Sequence, residues 1–224
     1  MGVTRLTFSS SLTASRPWLP GSDRIALSFS ECATMELHKL GYHDKWLEYQ
    51  ILDPELFKRQ WQVYEETGDS NTEHYRYAAF LHWITTRVAA PDEALNHFVD
   101  LTLNDPDSMM GGSAFIQLLS APWLTDAQFD LLSRRSQEFG NWTTDKVERV
   151  ALMRRLRAGG LTPSLFRDCL QLQDSGLHEI LLERSDMDRD MMKQLADQGA
   201  NKRIRNLAKQ YSASKKRWVD AAQP

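Results

Sequence analysis

The sequence predicts an all-α protein, and three observations support this fold class. Helix start signals recur along the chain after residue 34, whereas the alternating pattern of β-strands does not. Apolar residues between these signals follow helical spacing. One motif, a helix end followed by a turn and a new helix start, occurs three times in the second half. We therefore predict an irregular stack of antiparallel helical hairpins, with a compact helical bundle as the alternative.

Composition excludes several classes of protein. The chain has 224 residues, 42% hydrophobic and 25% charged, which is typical of a globular protein. It contains no apolar run of the length that a bilayer-spanning helix needs, so we expect that this chain is not a membrane protein. Its two cysteines are far apart and have no histidine at zinc-site spacing. We expect a cytoplasmic protein without a metal or a cofactor.

The order of the segments follows from patterning and charge. Residues 1–34 are rich in Ser and Thr and carry no helical pattern, so we predict a poorly ordered extension. Residues 35–110 form an acidic, aromatic-rich helical segment, and residues 111–211 a helical-repeat segment. Residues 212–224 form a basic tail. We expect residues 35–211 to make one continuous domain.

The acidic segment contains three predicted helices. Asp53-Pro54-Glu55 is a strong start signal, because Asp caps the open amides and Pro suits the first helical position. Gly68 ends this helix, and Thr72 begins a second one. The third opens at Pro91-Asp92-Glu93 and ends in the polar cluster at residues 104–107.

The second half carries the repeated motif. Each copy has two apolar residues separated by four positions, then Thr or Asp as a predicted N-cap, and then two inward-facing residues. The copies are Leu119, Leu124, Thr125, Phe129 and Leu132; Leu156, Leu161, Thr162, Phe166 and Cys169; and Leu182, Met187, Asp188, Met192 and Leu195. Their irregular spacing is typical of stacked hairpins, in which only core-facing positions must be kept.

Residues 180–210, with the sequence ILLERSDMDRDMMKQLADQGANKRIRNLAKQ, resemble the HEAT-like units of bacterial helical-repeat proteins, also called leucine-rich repeat variants. In those units a short helix ends in a turn that contains Asp, a second helix carries Leu-Ala, and a following Arg contacts the next unit. The resemblance extends over about residues 115–210. It implies a helical superhelix and does not imply a specific function.

The Gly159-Gly160 pair resembles a phosphate-binding loop only superficially. A Walker loop needs a Lys followed by Ser or Thr, and no Lys follows Gly160. We predict instead that one of these glycines is a left-handed C-cap, with Thr162 as the next N-cap and Pro163 at the first helical position.

Two stretches are candidates for partner binding. From Asn201 to Trp218 the chain carries 7 Lys and Arg and no acid: Lys202, Arg203, Arg205, Lys209, Lys215, Lys216 and Arg217. Such a stretch suits an acidic partner or nucleic acid, although a solvated helix end is the simpler interpretation. Residues 35–110 hold 14 acids against 6 Lys and Arg. There Trp61, Tyr75 and Tyr77 are candidate interface rings, and core packing is the alternative.

Catalytic constellations are weak. The histidines form no zinc motif, and the acid pairs, such as Asp105 and Asp107, occur in polar loops and at helix ends. We therefore assign no catalytic, cofactor-binding or metal-binding residue. The favoured hypothesis is a non-catalytic repeat protein that binds another macromolecule, most simply a protein, as an adaptor, immunity protein or regulator. The alternatives are nucleic-acid binding by the basic helix and a carboxylate-dependent hydrolase or DNA glycosylase-like enzyme.

Overall fold

A computed structural model describes residues 36–214 and Trp218. Every regular element in these residues is helical and none is a β-strand, so the all-α prediction is confirmed. The predicted extension at residues 1–34 lies outside the described residues.

The helices are short and follow one another closely. After a helical turn at residues 36–39, the first half contains α1 (Lys45–Glu48), α2 (Pro54–Thr67), α3 (Thr72–Thr85), α4 (Asp92–Leu103), α5 (Ser108–Leu119) and α6 (Asp126–Arg135). Two 3-10 turns follow, Ser136–Phe139 and Asn141–Thr143. The second half contains α7 (Thr144–Ala158), α8 (Pro163–Gln171), α9 (Ser175–Glu183), α10 (Arg189–Gln198) and α11 (Lys202–Ala213).

Helix boundaries predicted within the acidic segment are found in the structure. Oδ1 of Asp53 accepts a hydrogen bond from the Leu56 amide, 2.8 Å away, and Pro54 is the first residue of α2. Gly68 ends the helix with φ 65°, a left-handed conformation in which a side chain would be strained. Helix α3 begins at Thr72 as predicted, and α4 begins and ends where the sequence signals place it.

The first hydrophobic core runs from Leu37 to Val150. Large rings fill its centre, where α3, α4 and α5 pack together. The largest rings in this core are Trp46, Trp83, Tyr42, Phe80, Phe98 and Phe115. Gly111 allows α5 to lie close to α4, because a Cβ at that position would overlap the backbone of Thr102. The aromatic residues of this segment therefore serve mainly as core.

An ion pair is buried inside the first core. Arg76 donates from Nε to Oδ2 of Asp105 at 2.8 Å and from Nη2 to Oδ1 at 3.0 Å, and its Nη1 donates to Thr72 at 2.8 Å. The two side chains are 4% and 0% exposed. Asp105 lies in the predicted polar loop, but its carboxylate is buried, because Arg76 pairs with it in the interior.

The second hydrophobic core runs from Leu152 to Ala208 and joins the end of α7 to α8, α9, α10 and α11. Helix α7 belongs to both cores. Its Val147 and Val150 pack against the first core, whereas Leu152 and Leu156 lie in the second. The two cores therefore meet within a single helix, without a linker.

The three aligned segments share one local structure. In each, a helix ends, a turn follows, and the side chain of Thr125, Thr162 or Asp188 caps the next helix. The first inward residues, Phe129, Phe166 and Met192, are 7%, 1% and 0% exposed. Of the twelve aligned residues that are not N-caps, eleven are buried, and the twelfth, Leu161, packs half-buried against the second core.

The prediction of a left-handed glycine at 159 or 160 is wrong. Gly159 is extended, with φ −157°, and Gly160 does not have a positive φ. Arg184 takes over the capping role instead, because its guanidinium donates to the carbonyls of Leu156 and Gly159 at 2.6 and 3.0 Å. Asp186 forms an ion pair with Arg184, and its Oδ2 accepts a hydrogen bond from the Leu161 amide at 2.8 Å. A side-chain clamp therefore closes this turn.

His178 connects three helices of the second core. It is fully buried in α9, and its Nδ1 lies 2.9 Å from the Ala200 amide, which precedes α11. Nε2 lies 3.0 Å from the Cys169 carbonyl in α8. Only the neutral ring with hydrogen on Nε2 satisfies both contacts. Burial lowers the pKa of His178, which favours that neutral form.

Candidate binding groove

The predicted basic residues of α11 divide into two groups. Arg205 donates to the Gly199 carbonyl at 2.7 Å and so ties α11 to the end of α10. Arg203 pairs with Glu179 of α9 at 2.6 Å. The side chains of Lys202 and Lys209 are exposed and form no hydrogen bond or ion pair with a described residue. Two of the four cations thus stabilise the fold and two are free.

The remaining cations of the basic stretch, Lys215, Lys216 and Arg217, lie outside the described residues. Trp218, which follows them, is half-buried and packs against the second core. Its indole Nε1 donates to the Tyr211 carbonyl at 3.0 Å, near the end of α11. Trp218 therefore contacts both the second core and the end of α11.

The three candidate interface rings lie in different surroundings. Tyr75 is 7% exposed and belongs to the first core, so the prediction that it anchors a partner is wrong. Trp61 is half-buried on α2, stacks on Tyr64 at 5.4 Å and has Lys39 above it. Tyr77 is half-buried and lines a groove that Trp61 does not reach. Burial of Tyr75 follows from its position one helical turn before Ala79 on the inner face of α3.

The groove around Tyr77 lies where the two halves of the chain meet. Its volume is about 370 Å³, and its walls come from α3, α5, the second 3-10 turn, α7 and the residue that caps α9. It is lined by Tyr77, Ser113, Ile116, Gln117, Trp142, Lys146, Arg149 and Asp174. The rings, cations and hydrogen-bonding groups thus come from separate elements and face one space.

Trp142 is positioned by a glycine on α5. A Cβ at Gly112 would overlap the indole of Trp142, so the ring lies directly on the helix backbone. On the same helix, Ser113, Ile116 and Gln117 form the adjacent wall because they are three and four positions apart. A half-buried indole and an apolar Ile116 together give the groove an apolar floor.

Arg149 is held at the opposite wall. Its Nε lies 3.0 Å from Oδ2 of Asp174, although the N–H is not aligned for a hydrogen bond. Its guanidinium also rests on the backbone of Gly176, where a Cβ would approach Nη2 to 2.9 Å. Neither Nη1 nor Nη2 donates to a described residue. These donors are available to a ligand, since the side chain is 41% exposed.

Lys146 and Asp174 set the charge of the groove. Lys146 is exposed one turn before Arg149 and pairs with no described residue. Burial of Asp174 opposes its ionisation, but the amide of Leu177 and the guanidinium of Arg149 keep its pKa below the ordinary value. Asp174 therefore stays ionised near neutral pH and neutralises one of the two cations. The lining retains one net positive charge.

The groove was not predicted from the sequence, apart from Tyr77. Trp142, Lys146 and Arg149 occur at the spacing of one helix face, which is a usable signal, but a helix boundary falls between the first two. Ser113, Gln117 and Asp174 carry no distinctive pattern. Their convergence depends on how α7 packs between the two cores.

The described residues contain neither a cluster of potential metal ligands nor a helix that could span a membrane. In the part of the chain that the structure covers, no group of three or more His, Cys, Asp and Glu side chains is arranged to hold a metal ion. Within the same residues, no helix has the length and apolarity to cross a membrane. Comparison with protein-family models, curated proteins and solved structures gives no match for this chain.

Proposed function

We propose that this protein is a non-catalytic, HEAT-like helical-repeat protein that binds a segment of another protein in the groove beside Tyr77. The observation that carries the proposal is the lining: two half-buried rings, Tyr77 and Trp142, lie next to two cations with unused donors. Trp, Tyr and Arg are the residue types that most often dominate the free energy of protein recognition.

The shape of the groove also favours binding over catalysis. Catalysis benefits from an enclosed site that excludes water, whereas Lys146 and Gln117 are exposed at the rim. A volume of about 370 Å³ is near the lower end of the range for ligand pockets and suits a few side chains of a partner segment.

The architecture supports the repeat part of the proposal. Helix α8 contacts α9 and helix α10 contacts α11, and the corresponding N-caps, Thr162 and Asp188, are 26 residues apart. Each pair packs on the next, as repeat units do. Stacked hairpins commonly present a continuous binding surface.

The test uses affinity purification from the native cells. Wild-type protein and the variants Tyr77→Ala and Trp61→Ala are each immobilised, after circular dichroism has shown equal helical content. We expect a partner that wild type and Trp61→Ala retain and that Tyr77→Ala loses. Trp61→Ala is the matched control, since Trp61 is also a half-buried ring but lies on α2 outside the groove.

A partner lost with Trp61→Ala but kept by Tyr77→Ala would move the binding surface to α2. A partner kept by both variants, or no specific partner, would reject the proposed function.

A further inference from the structure

The partner chemistry follows from the groove charges, and this inference rests on the proposed function. We propose that the groove recognises an acidic segment, in which an Asp or Glu carboxylate pairs with Lys146 and Arg149 while a neighbouring apolar side chain packs on Trp142 and Ile116.

The cations are placed for one carboxylate. Lys146 and Arg149 are three positions apart on α7 and therefore lie on the same side of the helix. Arg149 is restrained by Asp174 and by contact with Gly176, so little side-chain freedom remains to be lost on binding. Its free Nη1 and Nη2 form the planar fork that matches a carboxylate.

The apolar floor adds a second requirement. Trp142 rests on Gly112, and Ile116 lies beside it on the groove wall, so an apolar side chain entering here would be shielded from water on one side. Lysine alone attracts any anion, whereas a floor of this kind selects an anion that carries an apolar neighbour. The acidic helix neighbours Asp145 and Glu148 do not line the groove.

The surrounding charge favours a protein segment over nucleic acid. Residues 35–110, which include the Tyr77 wall, carry 14 acids against 6 Lys and Arg. A phosphate backbone would bring a charge with every nucleotide into this negative field, whereas a short acidic peptide brings only a few. Because Asp174 neutralises one of the two cations in the lining, the groove keeps one net positive charge, which matches a single carboxylate.

The experiment selects peptides from a displayed library of random 12-residue sequences on immobilised wild-type protein. Individual peptides are then measured by fluorescence anisotropy against wild type, Tyr77→Ala, Lys146→Glu, Lys146→Arg and Lys209→Glu. Lys209→Glu is the matched control, because Lys209 is also exposed and its side chain pairs with no described residue. All variants are checked for wild-type helicity and urea midpoint.

We expect the selected peptides to be enriched in Asp or Glu next to an aromatic or aliphatic residue. Their dissociation constants should rise about tenfold with Lys146→Glu, remain near wild type with Lys146→Arg and Lys209→Glu, and rise with salt concentration. Replacing the acidic residues of a peptide with Asn and Gln should raise its dissociation constant for the wild-type protein by a similar factor.

Three results would overturn the inference. Selected peptides without acidic residues, which nevertheless lose binding with Tyr77→Ala, would reject the acidic partner and leave the proposed groove in place. Selection of no peptide that depends on Lys146 or Tyr77 would reject the inference and count against the groove. If a labelled single-stranded oligonucleotide bound more tightly than the selected peptides, and Lys146→Glu weakened that binding, the groove would be assigned to nucleic acid.

Discussion

Removal of the Asp105 carboxylate should strongly destabilise the first core. Asp105→Ala leaves the Arg76 guanidinium 4% exposed, with Thr72 as its remaining described partner. Breaking a buried ion pair from one side costs about 3–5 kcal/mol, because an uncompensated charge stays in the interior. The variant also loses the bond that Asp105 accepts from the Asp107 amide at 2.8 Å, worth about 1 kcal/mol. We therefore expect the free energy of unfolding to fall by at least about 3 kcal/mol.

The measurement is urea unfolding followed by circular dichroism. The double variant Arg76→Met and Asp105→Ala buries neither charge of the pair. Its free energy of unfolding should therefore fall by less than that of Asp105→Ala alone. Asp100→Ala is the control: it breaks an ion pair with Arg135 whose side chains are 49% and 22% exposed, and should cost less than about 1 kcal/mol. A cost below about 1 kcal/mol for Asp105→Ala, or strict additivity in the double variant, would refute the reasoning.

Three further predictions concern the second core and the groove. Folding lowers the pKa of His178 below its ordinary value of about 6.5, so below pH 6.5 the unfolded state binds more protons than the folded state. The free energy of unfolding should therefore decrease as the pH falls below about 6.5, by up to about 1.4 kcal/mol per pH unit. Urea unfolding measured at pH 5 to 8 should show this slope, and the slope should be smaller in His178→Gln. Truncation of the inward residue of each aligned segment should cost about 2–5 kcal/mol, measured by urea unfolding, and unchanged midpoints would refute their core role. The variants are Phe129→Ala, Phe166→Ala and Met192→Ala. Gly112→Ala should displace the Trp142 indole and change near-ultraviolet circular dichroism, whereas Gly159→Ala, with open space around its Cβ, should leave the spectrum unchanged.

Helix boundaries could be predicted because capping is a local interaction. Asp53, Thr162 and Asp188 each accept a bond from an amide three residues later, so both partners appear in the same short stretch of sequence. Inward-facing positions such as Phe166 follow from helical spacing for the same reason. The all-α class required no knowledge of distant contacts.

Contacts between distant residues could not be predicted in this way. Arg76 lies between two tyrosines and would ordinarily be exposed, but Asp105, 29 residues later, makes its burial possible. Arg184 replaces the expected glycine cap from 25 residues beyond Gly159. The groove depends in the same manner on the packing of α7 between two cores, which no local pattern encodes.

Because the two cores share α7, they should unfold together rather than one at a time. Neither core can be separated from the other at a loop, since cutting before Thr144 or after Ala158 removes core residues from one side. A ligand held between Tyr77 and Arg149 spans the same junction. A ligand bound in the groove would therefore stabilise the junction at α7, and unfolding of either half would have to break its contacts with the ligand.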